Sequence, residues 1–357
     1  MAHELTMTNG AAEMAYVGKT PWHGLGQNLE LGATIEQWKE AAGMAWRIES
    51  SPVRFKLDGA EGEAPTFSTM KDRKVLLRSD NFEPLSVVSN QFKPVQPGEV
   101  LEFFRDLTDN AGFTLETAGT LFGGRRMWAL AKTNAEAAVA DARDKVRNYL
   151  LLSTACDGTL ATEARFTSIR VVCNNTLSWA VKTDSKAGRV KVLHRSHFDA
   201  AAVKTELGVE QAEEQFKETM KIFRELADAP LLPSAAVLQT AELMRPGALD
   251  LEMAELEKVV ASRPLKRVVE LAARSQGLIG SDFEGGERTQ WAWLNAVTQF
   301  VDHESRARSQ DNRLNSAWFG NGDTIKRRAA DIASGAASGD RVFAHDEASR
   351  LLVAALS

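Results

Sequence analysis

The side chains best suited to chemistry in this chain are cations and amides, and they gather between Arg165 and Lys191. The run RFTSIRVVCNNTLSWAV, Arg165 to Val181, sets Arg165 and Arg170 close to the paired amides Asn174 and Asn175. Phe166, Ser168 and Arg170 alternate with Arg165, Thr167 and Ile169, which is the period of a strand. Asn and Thr then offer short acceptors for the free N–H groups of a first helical turn. The spacing therefore predicts a strand running into a capped helix. Such a junction collects N–H donors and the positive end of a helix dipole, which suits an anion such as phosphate. The same residues also fit a purely structural role, with Arg165 paired to Glu163 and the two Asn serving only as caps.

Downstream, Lys182, Lys186, Arg189, Lys191 and Arg195 face the single Asp184. The net charge of the whole chain is −5, so it has no global attraction to nucleic acid and any polyanion site must be local. The stretch from Arg165 to His197 is the best candidate, although short cationic runs also occur simply as solvated turns. A second cationic turn holds Arg125 and Arg126 after Gly123-Gly124, with Trp128 two residues on. The expected contacts to a phosphodiester backbone are Arg125, Arg126, Arg165, Arg170, Lys182, Lys186, Arg189 and Lys191. Asn174 and Asn175 would add hydrogen bonds, and Trp128 a stacking surface.

Other candidates are weaker. His194 and His197 follow RVKV, which reads as a strand; positions three apart on a strand face opposite ways, so a metal pair is not expected. Asp302 and His303 are adjacent and cannot share a helical face as an acid–base pair, and His303 fits a helix C-terminal cap. Asp106 and Asp109 share a face without a third ligand. Lys326, Arg327 and Arg328 are expected in the first turn of a helix capped by Asp323 or Thr324. They oppose its dipole there, which suggests an anion or another subunit nearby. Trp22 beside His23 reads as an anchor for an N-terminal arm. The chain contains no phosphate-loop, zinc, His-Glu-x-x-His or Gly-x-Ser-x-Gly pattern. No catalytic residue, metal or cofactor is assigned.

These residues need elements to hold them. Thr34 with Gln37 forms a capping-box pattern for a helix ending at Gly43. Strands are expected in MAWRIESSPVRFKL, KVLLRSD and PLSVVSNQF, then a single helix from Pro97 over GEVLEFFRDLTDNA. FTLETAGTLFGGRRMWALAKT reads as two strands joined at Gly123-Gly124. Asn134 to Ala142 reads as a loop or short helix, and Leu150 to Ala155 as a strand buried on both faces. From Phe198 onward the pattern is helical, including the amphipathic run up to Pro230 and the helix from Thr289 to Ser305. The fold class is α+β: an N-terminal arm over 1–33, a β-rich core over 34–197 with a helix-β-β-β-helix unit, and a mainly helical region over 198–357.

RVVCNNTL, Arg170 to Leu177, resembles the signature of the phage/plasmid-like protein family, domain of unknown function 932. The resemblance extends to PWHGLG (Pro21 to Gly26), LSVVSNQFKPVQPGEVLEFF (Leu85 to Phe104), TAGTLFGGRRMWALA (Thr117 to Ala131) and LNAVTQFVDH (Leu294 to His303). It implies a mobile-element origin and a bacterial cytoplasmic setting, and no established reaction. The run between Thr34 and Ala111 also resembles, in topology, the core of the Rad52-type single-strand annealing proteins, and GMAWRI is loosely similar to their Gly/Trp approach to the first strand.

Two cysteines, Cys156 and Cys173, are too few for a disulfide scaffold and fit a reducing cytoplasm. No apolar run approaches the roughly 18–20 residues of a membrane helix, and no membrane partner is expected. The expected function is ATP-independent binding and annealing of single-stranded DNA in phage or plasmid recombination or replication, by a homo-oligomeric ring or filament. Two other classes remain open: a metal-dependent enzyme acting on nucleic acid or nucleotides, and an oligomeric phage protein that antagonises a host factor.

Overall fold

The computed structural model describes residues 6–8, 10–18, 25–58, 64–139, 144–170, 175–177, 188–273, 289–306, 310–335, 351 and 354–355. The chain is mixed α+β, rich in strands in its N-terminal half and helical toward its C-terminus. Trp22, His23, Asn174, Lys182 and Lys186 lie outside the described residues.

Short strands β1 (Met7–Thr8), β2 (Ala11–Ala12), β3 (Met14–Val17) and β4 (Gln27–Leu29) precede helix α1 (Ile35–Ala41). The Thr34 hydroxyl accepts from the Gln37 amide at 3.2 Å, and the Thr34 amide donates to Gln37 Oε1 at 2.8 Å. This capping box satisfies two donors that a helix start leaves orphaned. Ile35, Trp38 and Ala41 then turn inward. Strands β5 (Ile48–Leu57), β6 (Thr66–Arg78) and β7 (Pro84–Ser89) form an antiparallel sheet in that order.

Pro97 starts a helix, but the expected single helix is two: α2 (Pro97–Glu102) and α3 (Arg105–Asn110). The break falls at Phe103 and Phe104, which are both fully buried, with ring centroids 5.1 Å apart edge to face. Phe104 opens to φ −89 and ψ −11, so both neighbouring rings enter the core where a regular helix would fan them about 100° apart.

Strands β8 (Thr114–Leu121), β9 (Arg126–Ala138), β10 (Lys145–Ala155) and β11 (Thr162–Arg170) follow, with β12 (Asn175–Leu177) and β13 (Arg189–Val192). They join β3 and β4 in an eight-stranded sheet of order β12-β11-β10-β9-β8-β3-β4, with β13 also on β11. Two expectations are corrected here. Residues 134–138 are strand and neither loop nor helix; tertiary pairing overrides the helix propensity of the alanines. Asn175 to Leu177 is strand as well: Ser168 faces Leu177, Ile169 faces Thr176 and Arg170 faces Asn175. The signature doubles back antiparallel on itself, as its β-branched Thr167, Ile169 and Thr176 favour. The helix start at the Asn pair is absent at residues 175–177, and the dipole argument for an anion goes with it.

The helical part comprises α4 (Ala200–Leu207), α5 (Ala212–Asp228), α6 (Pro233–Met244), α7 (Met253–Val260), α8 (Arg263–Ala273), α9 (Gln290–Gln299), α10 (Gln310–Phe319) and α11 (Asn321–Ala333). A π-helical turn, Phe300–Glu304, extends α9. None of the described helices is long and apolar enough to cross a membrane.

The chain forms two units that interleave along the sequence. The first takes Met1–Asn134, Tyr149–Phe166 and Thr183–Glu210; the second takes Ala135–Asn148, Thr167–Lys182 and Gln211–Ser357. The core of the first unit includes Trp38, Phe103, Phe104, Met127, Leu150 and Val190. In the second, one core holds Phe223, Trp291, Trp293 and Val297, and a smaller one holds Val237, Leu256 and Leu265.

A buried polar hub lies inside the first unit. Arg78 and Glu13 are only 1% and 4% exposed, and the guanidinium meets the carboxylate at 2.6 and 3.1 Å. Its other edge is gripped by Asp80 at 2.8 and 2.9 Å. Thr120 and Thr8 donate to the Glu13 oxygens at 2.5 and 2.7 Å. The Trp46 ring stacks 4.2 Å from the guanidinium carbon. Gly124, at φ +94, passes so close that a Cβ there would stand 2.7 Å from Trp46 Cζ2 and 3.2 Å from Arg78 Nη1. Only glycine fits this combination of left-handed backbone and close approach.

Candidate nucleic-acid interface

The antiparallel pairing of β11 with β13 brings together three of the expected contacts. Glu163 lies opposite Lys191, and Arg165 opposite Arg189. Residues two apart on a strand share a face, and directly paired residues share it too, so these four side chains lie together. The other face of the same strands carries Ala164 and Val190, both in the core.

Glu163 is the centre of the group. Its carboxylate, 7% exposed, stands 2.8 Å from Arg189, 3.6 Å from Lys191 and 3.7 Å from Arg165. Arg165 is buried beside it, while the Arg189 side chain is 33% exposed and that of Lys191 53%. Arg165 beside Glu163 is the structural pairing that the sequence left open. The arrangement aligns two cations at the surface over one carboxylate, and a buried carboxylate that orients neighbouring cations preorganises them for a second anion.

The turn containing Arg125 and Arg126 behaves differently. Arg125 is exposed, with Nε donating to the Phe122 carbonyl at 2.9 Å. Arg126 begins β9 and is 9% exposed; it donates to Thr159 Oγ1 at 2.8 Å and its guanidinium carbon lies 5.8 Å from the centre of the Phe122 ring. Desolvation lowers its pKa, against a smaller opposing pull from Asp157. Trp128 is completely buried. It presents no face to a base, which removes it as a stacking surface; Arg125 lies in the turn before β9, whereas Trp128 lies in a stretch of that strand buried on both faces. Arg170 and Asn175 are backbone neighbours across β11 and β12.

The remaining candidates resolve into structural roles. His194 places both ring nitrogens against backbone carbonyls, those of Lys93 at 3.2 Å and Leu160 at 3.0 Å, and stacks on Phe92. That leaves no ring nitrogen for a metal, and no cluster of His, Cys, Asp and Glu suited to one occurs among the described residues. Asp106 pairs with Lys204 at 3.1 Å. The cationic run of α11 is corrected: the helix begins at Asn321, so Lys326, Arg327 and Arg328 lie beyond its first turn. Each has an internal carboxylate, Asp302, Asp323 and Glu242 respectively, at 2.8 to 2.9 Å. His303 lies in the π-helical turn with Asp302. The Cys156 thiol is pushed up to about 12 by burial, with Asp157 adding to it, and is inert as a nucleophile.

Fold and site together define a mixed α+β protein with a cation-bearing strand pair in its first unit. The chain belongs to the family described as Domain of unknown function (DUF932), which matches residues 84–318. That span begins at the first residue of β7 and closes within α10. No curated protein and no solved structure matches the chain.

Proposed function

We propose that this protein binds single-stranded DNA without nucleotide or metal, and that several copies together hold complementary strands for annealing in phage or plasmid recombination or replication. The observation that carries the reading is the Glu163 group, where Arg189 and Lys191 bring positive charge to the surface of an acidic chain. The reading also draws on the resemblance of the sequence between Thr34 and Ala111 to the core of Rad52-type annealing proteins. Topology alone does not give function.

The test is a titration of labelled single-stranded DNA at several salt concentrations, followed by an annealing assay with complementary strands. Binding should weaken as salt rises. The paired substitution Arg189→Ala and Lys191→Ala should flatten the slope of log K against log salt by about 1.4, at roughly 0.7 for each phosphate no longer neutralised. Binding that ignores salt, or none at low salt, overturns the reading. Strand degradation in place of annealing favours the enzyme, and a protein that binds no DNA favours the host-factor antagonist.

A further inference from the structure

The long β5–β6 hairpin extends well past the part of it that packs on the core. Leu76 is buried, yet the four outermost pairs are Arg54 with Thr69, Phe55 with Ser68, Lys56 with Phe67, and Leu57 with Thr66. Of these eight residues only Ser68 is half-buried; the other seven are exposed. Cross-strand partners share a face, so the register divides them into two sets. One face carries Arg54, Lys56, Phe67 and Thr69; the other carries Phe55, Leu57, Ser68 and Thr66. Phe67 is 69% exposed and directly opposite Lys56.

We infer that the face bearing Arg54, Lys56 and Phe67 is a second contact for single-stranded nucleic acid, one that stacks a base on Phe67 and sets the two cations against the phosphates on either side. This rests on the DNA-binding reading above and assigns it residues that the reading did not use. An aromatic ring exposed on a strand ladder beside two cations is the combination that sequence-tolerant strand binders use. Lys56 is already 2.7 Å from the exposed Asp58, a pairing that phosphate can replace. Glu61 and Glu63, in a connection outside the described residues, leave the hairpin without a strong net charge, so the strand is assigned to this face and not to the arm as a whole. The hairpin precedes the span matched by the family.

The test compares binding of the full chain to labelled oligothymidylate and to an abasic oligonucleotide of the same length. Phe67→Ala should weaken oligothymidylate binding roughly ten- to a hundredfold and leave the abasic strand unaffected, because only a base can stack. Phe67→Trp should restore binding. Arg54→Ala with Lys56→Ala should weaken both strands. The inference is overturned if Phe67→Ala binds both strands like the parent while the Arg189 and Lys191 substitutions still weaken binding; the DNA-binding reading then survives without the hairpin. A parent that binds neither strand sinks both. A change in subunit count on Phe67→Ala, read by light scattering, identifies the face as a contact between copies and also overturns the inference.

Discussion

Arg78→Ala is expected to destabilise the first unit by about 3–5 kcal/mol, the range for breaking a buried ion pair from one side. The substitution leaves Glu13 as a buried carboxylate with only the hydroxyls of Thr120 and Thr8 to answer it. It also removes the plane on which Trp46 stacks. Arg78→Lys keeps the charge but not the fork that grips Glu13 and Asp80 together, so it should fall between parent and alanine. Urea denaturation followed by circular dichroism gives the shift, and hydrogen exchange should localise lost protection to β6 and β8. A parent-like midpoint for Arg78→Ala would show that the hub does not hold this fold together.

The same hub predicts the direction of an acid effect. Burial works against the Arg78 charge, but hydrogen bonds from Arg78 to Asp80 and Glu13 outweigh it and raise its pKa. Asp80 is held below its ordinary value of 3.8, chiefly by its hydrogen bonds from Arg78. A carboxylate with a depressed folded pKa stabilises fully above its unfolded value and loses that stabilisation as pH falls through the folded one. Parent stability should therefore decline below about pH 3.8 in part through Asp80. Arg78→Met should lack that part, so the difference between the parent and variant profiles should contain it.

How far the chain could be read in advance depended on whether the deciding contacts were local. Thr34 and Gln37 are three residues apart, and their capping box forms as the pattern requires. Gly123-Gly124 likewise marks the junction of β8 and β9, with both glycines at positive φ. Arg78 and Glu13 are 65 residues apart, and no local pattern separates this arginine from its exposed neighbours. Leu76 and Arg78 alternate inward on β6, a signal for burial, but it names no partner. At the candidate interface, alternation correctly groups Glu163 with Arg165 and Arg189 with Lys191. It does not say that one carboxylate will serve all three cations, because that depends on the register between β11 and β13. Trp128 misleads for the opposite reason. Its neighbours Arg125 and Arg126 suggest a surface turn, yet it is already two residues into a strand that is buried on both sides.

Lys326→Met should have an effect comparable to that of Arg78→Ala, in the second unit. Lys326 is 1% exposed and its ammonium donates to Asp302 Oδ1 at 2.8 Å; the Asp302 side chain is itself 7% exposed. Methionine fills most of the volume of the lysine stem, so the loss of packing is small and the cost comes from removing the ammonium that faces the buried Asp302 carboxylate, about 3–5 kcal/mol. Asp302 lies in the π-helical turn after α9, and that turn adjoins Trp291 and Trp293 through one continuous helix. Protection against hydrogen exchange should therefore fall across α9 and α11 together. The double substitution Lys326→Met with Asp302→Leu separates charge from shape: removing both partners should recover much of the stability, because an apolar pair of similar volume replaces a buried ion pair at little cost or with a gain. If the double variant is no better than the single one, Asp302 is needed for its own hydrogen bonds. The π-helical turn then depends on the carboxylate and not on the ion pair.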